Sequence, residues 1–391
     1  DHASGAVKGK MLLRSEASGF YNWFWLDLKK NQRAPITALT VDVQRLVRLD
    51  TGKKLLFFTA AGAKNPMRHQ LWSVKFDGSG LRQLTSDDFH HSVSVSPSGD
   101  YFADIAETTY QAPKLSVAKS DGTVIKELAR SVVPKTYENC AEMMLVATAD
   151  GKDAVYVRVN KPVPFDPTKK YPVLMSVYGG PGLPSGQAPA DRFATPNAIN
   201  AMGFATIDVW GRGEEGRGRA FRQAIFRRLG QLEIDDMATA AMSARRFTWI
   251  DSTKVAIEGT SYGGYAALMS ILRYPDVFAA ACSCSPVTDW RHYDSIYTER
   301  YMGMPDDNAE GYRLGAATTY ASNLKGSLML YYGSADDNTH PTNTMHMIRA
   351  LQRAQKFFEV QVGPDQGHSA VSRTRMMEFF TQRLGIAPPP K

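Results

Sequence analysis

Val255-Ala256-Ile257-Glu258-Gly259-Thr260-Ser261-Tyr262-Gly263-Gly264 is the stretch whose reading decides the fold. Its first four residues read as a short strand, and the run over 262–273 reads as a helix. Between them Gly259, Ser261 and Gly263 satisfy G-x-S-x-G, the pattern of a sharp strand-to-helix turn that raises a serine hydroxyl above a sheet. Glycine is needed there because a Cβ on either side of so tight a turn would clash, and strain helps present the hydroxyl. A glycine-rich turn with serine merely capping the helix is the plainer alternative. The strand before and the helix after favour Ser261 as a nucleophile.

Outward from this turn, strand candidates at 173–178, 204–209, 255–258, 328–332 and 357–362 alternate with helical stretches at 219–229, 233–247, 262–273, 341–355 and 371–384. That alternation predicts an α/β domain over 134–391, with a mostly parallel sheet covered on both faces. Such sheets hold their chemistry at the carboxyl ends of the strands. Residues 1–133 have a different grammar of short strands and turns. Strands are expected at 21–27, 55–59, 71–76, 81–85, 93–95 and 114–118, with hairpin turns at Asp77-Gly78-Ser79-Gly80 and Asp121-Gly122. Similar phrases recur roughly 40 to 45 residues apart, which suits four-stranded propeller blades. About three blades fit where a closed propeller needs about four to eight, so this half is expected to be truncated.

A serine hydroxyl is a weak nucleophile at neutral pH and needs a base held by a carboxylate. In this kind of sheet the chain order is serine, acid, histidine. Four histidines follow Ser261. His292 comes too soon, His346 lies mid-helix, and His340 sits in the loop that should carry the acid. His368, in Gly363-Pro364-Asp365-Gln366-Gly367-His368-Ser369 after the last strand, is the expected base. The acid falls in Gly333-Ser334-Ala335-Asp336-Asp337-Asn338; Asp336 is taken as the partner and Asp337 as a turn or helix cap. A developing oxyanion wants two donors. One is the backbone N–H of Tyr262; the other comes from Tyr178-Gly179-Gly180-Pro181-Gly182, through a backbone group or the Tyr178 hydroxyl. A buried structural tyrosine is the alternative for Tyr178.

Composition bounds the remaining classes. At 391 residues, 43% hydrophobic and 22% charged, the chain has ample material for two cores. No apolar run reaches the roughly 18 residues that span a bilayer. Asp1-His2-Ala3-Ser4-Gly5 has neither the basic nor the apolar region of a signal peptide, although one removed earlier would leave no trace. The net charge of +7 and the run Arg212, Arg217, Arg219, Arg222, Arg227, Arg228 would suit a polyanion, but Glu214, Glu215 and Glu233 dilute it. A solvated helix face or a domain contact is the better reading, and no nucleic acid is expected. Cys282 and Cys284 fall on one face of a strand, too constrained to pair with each other. With Cys140 they make an odd count without CxxC, so neither a disulfide framework nor a zinc site is expected. Gly211-Arg212-Gly213-Glu214-Glu215-Gly216 matches G-x-G-x-x-G, but its two glutamates would repel a pyrophosphate.

Taken together, these phrases resemble the prolyl oligopeptidase family of serine peptidases, on its dipeptidyl peptidase IV branch. The carriers are Tyr171-Pro172-Val173-Leu174 through Gly182, the turn at 259–264, Tyr293-Asp294-Ser295-Ile296-Tyr297-Thr298-Glu299-Arg300-Tyr301-Met302-Gly303, and the run 333–340. The resemblance covers about residues 135 to 391, and the first half looks like the end of that family's propeller. It implies an α/β-hydrolase catalytic domain with Ser261, Asp336 and His368 as the triad, and Tyr178 and Tyr262 at the oxyanion. It also implies a pocket of Val287, Trp290, Tyr293, Tyr297 and Tyr262 that grips proline or alanine, with Asn338 holding a substrate carbonyl. On sequence alone such an aromatic cluster reads as core.

The resemblance further implies a serine exopeptidase releasing amino-terminal X-Pro or X-Ala dipeptides through an acyl-enzyme, with no cofactor or metal. The partners expected are peptide substrates, with a homodimer left open, and a secreted or periplasmic location is suggested. The rival expectations are a tripeptidyl or acylaminoacyl peptidase, an esterase, a non-catalytic interaction protein keeping the fold, or an incomplete fragment with unselective chemistry. Thr260 and Thr339 stand where relatives often carry tryptophan and valine. No carboxylate pair in residues 1–133 matches the one with which the family reads a free amino group, and Glu214-Glu215 falls in the second half.

Overall fold

A computed structural model of the chain describes residues 2–181, 190–369 and 371–386. It divides into two compact units. The first comprises Asp1–Asn139, Pro181–Ala194 and Glu214–Gln223, and the second Cys140–Gly180, Thr195–Gly213 and Ala224–Lys391. Gly182, the last residue of the loop begun at Tyr178, lies outside the described residues.

The first unit holds three four-stranded antiparallel sheets. These are β1 (His2–Val7) to β4 (Gln32–Pro35) by way of β2 (Lys10–Ser15) and β3 (Asn22–Asp27); β5 (Val43–Asp50), β6 (Leu55–Ala61), β7 (His69–Lys75) and β8 (Arg82–Gln83); and β9 (His90–Val95), β10 (Tyr101–Thr108), β11 (Gln111–Lys119) and β12 (Val124–Arg130). Strand period explains how they stack. Leu56 and Phe58 of β6 face one way, into a core with Leu12, Trp23 and Val74, while Phe57 faces the other, into a core with Leu71, Phe102 and Ala118. The hairpin at Asp77-Gly78 forms as its residues demand: Gly78 has φ 84°, and the Asp77 carboxylate accepts the Ser79 N–H at 2.9 Å. The strand expected over 81–85 pairs only at Arg82–Gln83.

The second unit is one eight-stranded sheet in the order β13-β14-β16-β15-β17-β18-β19-β20. Its strands are β13 (Ala141–Ala147), β14 (Ala154–Asn160), β15 (Tyr171–Ser176), β16 (Ala205–Trp210), β17 (Ile250–Thr260), β18 (Ala280–Cys284), β19 (Ser327–Gly333) and β20 (Glu359–Gly363). β13 and β14 pair antiparallel and β14 joins β16 antiparallel; β15 to β20 run parallel. The central strands are buried on both faces, which is why Val173-Leu174-Met175 and Leu328-Met329-Leu330 are unbroken apolar runs. Each such side chain removed from water contributes about 1.5–3 kcal/mol.

The helices are α1 (Ala198–Ala201), α2 (Gly218–Arg222, within the first unit), α3 (Leu232–Ser243), α4 (Tyr262–Arg273), α5 (Ser295–Met302), α6 (Ala309–Gly315), α7 (Thr342–Arg353) and α8 (Arg373–Arg383). α3, α4 and α7 cover one face through Met237, Leu268 and Met347, and α8 covers the other through Met376, Phe379 and Phe380. Three strands beyond those expected complete the sheet: β13, β14 and β18. The helix expected over 219–229 ends early. After α2 comes one 3-10 turn, Gln223–Ile225, and Arg227 takes φ 64° because its N–H is drawn to the Tyr301 carbonyl at 2.7 Å.

The arginine run is dispersed into ion pairs and ring contacts. Arg212 is buried against Asp236 at 2.6 Å and Asp150 at 2.7 Å, Arg222 pairs with Glu16, and Arg217 stacks on Phe221. Glu215 packs with the first unit, 3.5 Å from Arg14, rather than with the second half where its position in the sequence put it. All three cysteines are free and buried, the Cys282 and Cys284 sulfurs 3.5 Å apart on β18. Among the described residues, no helix is long and apolar enough to cross a membrane, and no three His, Cys, Asp or Glu side chains group to hold a metal ion.

Candidate active site

Ser261 occupies the turn from β17 to α4 with φ 63° and ψ −122°, a conformation that costs a non-glycine residue about 1–3 kcal/mol. The surrounding glycines make that conformation affordable. A Cβ at Gly259 would lie 2.5 Å from the Gly263 backbone, one at Gly263 2.2 Å from the Val177 carbonyl, and one at Gly264 2.2 Å from the Cys284 carbonyl. The Ser261 N–H is tied down by that same Cys284 carbonyl at 2.9 Å. The backbone therefore fixes the residue while its side chain stays available for chemistry.

Asp336 and His368 lie in the loops that follow β19 and β20, at the carboxyl edge where β17 also ends. The structure brings them together: His368 Nδ1–H donates to Asp336 at 2.9 Å and 3.1 Å, and the Asp336 side chain is fully buried. Asp336 also accepts the backbone N–H groups of Asn338 at 3.0 Å and Thr339 at 2.9 Å, which lock the carboxylate in its loop. Of the two adjacent aspartates, Asp337 is exposed. With Nδ1 committed as a donor, Nε2 is left as the basic nitrogen of a neutral imidazole. The other late histidines turn elsewhere: His340 Nδ1 accepts from Thr342, and His346 packs ring to ring on His292.

Tyr178 follows β15, and its hydroxyl lies near the Ser261 side chain. Burial pushes that hydroxyl above its ordinary pKa and the nearby Ser261 side chain only partly opposes this, so it stays a neutral donor. Tyr262 begins α4, so its N–H is one of the helix's first donors, which have no partner inside the helix. The expected pocket residues converge on Trp290. Tyr262 lies 5.5 Å from it between ring centroids, Tyr297 stacks on it at 5.9 Å, and Tyr293 meets it edge-on at 6.0 Å. Val287, after β18, is buried in the same cluster. Two caps set these rings: the Asp289 side chain accepts the Arg291 N–H, and the Asp294 side chain accepts the Tyr297 N–H at 2.8 Å. Asn338 Oδ1 accepts from the Tyr293 hydroxyl at 2.8 Å, which leaves the amide's two N–H bonds as its donors. Thr339 is buried, and its hydroxyl has no partner among the described residues.

Sequence reading missed one group. Glu233 appeared only as an acid diluting the arginine run, yet it is 1% exposed on the first turn of α3 and accepts from the Tyr262 hydroxyl at 2.6 Å. Its one sequence signal is its place three residues after Gly230, whose N–H it reaches back to accept. A separate cavity of about 650 Å³ opens at the opposite ends of β19 and β20, lined by Ser327, Phe357 and Arg383 among others, away from the Asp336–His368 pair.

Comparison with known proteins follows the same lines. A family model described as "Prolyl oligopeptidase family" matches residues 191–385, and one described as "Dipeptidyl peptidase IV (DPP IV) N-terminal region" matches residues 5–115. Human dipeptidyl peptidase 8 is 32% identical over 83% of this chain and 38% of its own length. A probable dipeptidyl-aminopeptidase B of Trichophyton verrucosum is 33% identical over 82% of this chain and 37% of its own. The chain thus spans well under half the length of these curated relatives. The crystal structure of Porphyromonas gingivalis dipeptidyl peptidase 4 superposes with a TM-score of 0.79 at 29% identity, covering 98% of this chain and 55% of that one. A putative dipeptidyl aminopeptidase IV from Bacteroides ovatus gives 0.80 at 25% identity, covering 96% and 57%. With propeller-like sheets in its first half and an α/β-hydrolase sheet in its second, the chain belongs to the prolyl oligopeptidase family of serine peptidases, on its dipeptidyl peptidase IV-like side.

Proposed function

We propose that this chain is a serine exopeptidase that releases amino-terminal dipeptides, with proline or alanine before the cleaved bond. The observation that carries the reading is the buried Asp336 carboxylate holding His368 at 2.9 Å on the sheet edge where the strained Ser261 turn also stands. Ser261 Oγ attacks the scissile carbonyl while His368 Nε2 takes its proton. The C–O bond forms as the carbonyl π electrons move to oxygen, and the Tyr262 N–H and Tyr178 hydroxyl stabilise that oxyanion. The C–N bond then breaks as His368 protonates the leaving amine, leaving an acyl-enzyme on Ser261. Water, deprotonated by the same imidazole, attacks it, and the Oγ–C bond breaks as His368 returns the proton to Ser261 and the dipeptide leaves. Asp336 orients the imidazole and stabilises its charged form. Proline is flat, rigid and apolar, which the walls of Trp290, Tyr293, Tyr297 and Val287 suit. The free N–H bonds of Asn338 are placed to donate to the neighbouring substrate carbonyl.

A fluorophosphonate tests the nucleophile, and a substrate panel tests the specificity. The label is expected on Ser261 and lost in Ser261→Ala. Gly-Pro-p-nitroanilide is expected to be cleaved in preference to Ala-Ala-Pro and N-acetyl-alanyl anilides. Hydrolysis of the tripeptidyl or blocked substrate alone overturns the dipeptidyl reading. A folded chain whose Ser261 takes no label overturns the catalytic one.

A further inference from the structure

One buried carboxyl group beside the site has no part in the chemistry proposed above. Glu233 is held wholly inside the second unit, one hydrogen bond from Tyr262. Its Oε1 accepts two donors, the Tyr262 hydroxyl at 2.6 Å and the Gly230 N–H, while Oε2 has no partner among the described residues. Tyr262 joins the Ser261 turn to the aromatic cluster around Trp290. Its N–H begins α4 beside Ser261, and its ring touches Tyr178 at 6.0 Å, Tyr265 at 5.4 Å and Trp290 at 5.5 Å. Fixing the Tyr262 hydroxyl therefore fixes its ring within the aromatic wall, while the backbone of the turn is held separately by the Ser261 N–H to the Cys284 carbonyl.

We propose that Glu233 is a positioning residue of this site: its carboxylate anchors the Tyr262 hydroxyl, and its ionisation controls turnover of substrates that fill the aromatic pocket. The proposal rests on the reading of Ser261 as the nucleophile. Ionised, Oε1 makes a charge-assisted bond to Tyr262, about twice as strong as a neutral one. Protonated, Glu233 keeps only a weak carbonyl-type acceptor, or, with the proton on Oε1, displaces both donors.

The charged and titratable neighbours come from three elements. Asp235 and Asp236 share α3 with Glu233; Tyr262, Tyr265 and Arg273 lie on α4; Tyr297 lies on α5. Arg273 is the cation of the group, but it is shared with Asp235 at 2.8 Å and with the Gly230 and Gln231 carbonyls at 2.9 Å. It therefore only partly offsets the loss of water around Glu233. Burial raises the carboxyl from its ordinary value of 4.5 to about 7, against the opposing pull of the Tyr262 and Gly230 bonds. Tyr262 itself is pushed well above its ordinary range by burial, so it remains the donor throughout.

Turnover then needs two groups free of their protons, His368 as base and Glu233 as anchor. On the acid side, kcat/KM for Gly-Pro-p-nitroanilide is expected to fall about a hundredfold per pH unit in the wild type. In Glu233→Gln the neutral amide oxygen holds Tyr262 about as weakly as protonated Glu233 does at every pH, so kcat/KM is expected to start lower and to fall only about tenfold per unit. Fluorophosphonate labelling, which does not depend on the pocket, is expected to keep the one-proton slope in both proteins. Glu233→Ala, with no anchor, is expected to raise KM about tenfold while label incorporation persists. Identical acid slopes for wild type and Glu233→Gln in proteins that both label overturn the proposal while leaving the Ser261 reading intact. Absence of label overturns that reading and this one with it.

Discussion

At the scale of single residues, Glu233 is where sequence and structure part most clearly. A glutamate on the first turn of a helix reads as solvated, and nothing local in the sequence says that Tyr262, twenty-nine positions on, will lie against it. Burial has a consequence for stability that does not depend on activity. Because the folded carboxyl titrates near 7 rather than 4.5, the stability it allows is fully present below about pH 4.5 and is lost as pH rises through about 7. The loss is on the order of 3 kcal/mol by pH 8. Urea unfolding of Glu233→Gln against wild type is expected to show a gap that widens in the variant's favour between pH 5 and pH 8. A gap that stays constant across that range refutes the titration. By contrast the placement of Ser261 at a strand-to-helix turn, and of Asp336 and His368 in the loops after β19 and β20, was readable singly, because glycine spacing, chain order and position after a strand constrain each of them locally. The Asp336 side chain meets His368 and that of Asp337 is exposed, a distinction carried by backbone N–H bonds to Asn338 and Thr339 that the sequence does not display.

At the scale of elements, the turn from β17 to α4 sets two effects against each other at Gly263. Alanine is favoured over glycine inside a helix by about 1 kcal/mol. Here the added Cβ would meet the Val177 carbonyl at 2.2 Å, a backbone atom that cannot swing away. Overpacking of this kind costs about 1–3 kcal/mol or more, so the clash wins. Gly263→Ala is expected to lower the urea midpoint and slow fluorophosphonate labelling by at least about tenfold; a stabilised, fully labelled variant contradicts the geometry. The same contest between local preference and distant partners explains which elements were legible. β15, β17 and β19 announce themselves as apolar runs. β18 is the short run Ala280–Cys284, rich in alanine and cysteine, whose strand character comes from neighbours on both sides. α2 breaks off because Arg227 is captured by the Tyr301 carbonyl, a partner seventy-four positions later.

At the scale of the whole molecule, four hydrophobic clusters form among the described residues, and each lies inside a single unit. Two of them join the three small sheets of the first unit, and two sandwich the large sheet of the second. The recurrence of strand phrases made the small sheets legible, since each repeat is built from its own hairpins. It did not reveal that Glu214–Gln223 packs with them, because that segment is recruited by long-range bonds such as the Gly218 N–H to Asp42 at 2.8 Å. Two separate cores make a testable asymmetry. Trp23 is fully buried between Leu12 and Phe58, and truncating so large a side chain costs about 3–5 kcal/mol. In Trp23→Ala that loss should fall on the first unit, read as early exposure of Trp25 and Trp72 to a fluorescence quencher during a urea titration. Ser261 labelling, which reports on the second unit, should persist to the wild-type urea concentration. If labelling is lost in step with quencher access, the cores are energetically one and the reading of two separately stabilised units is wrong.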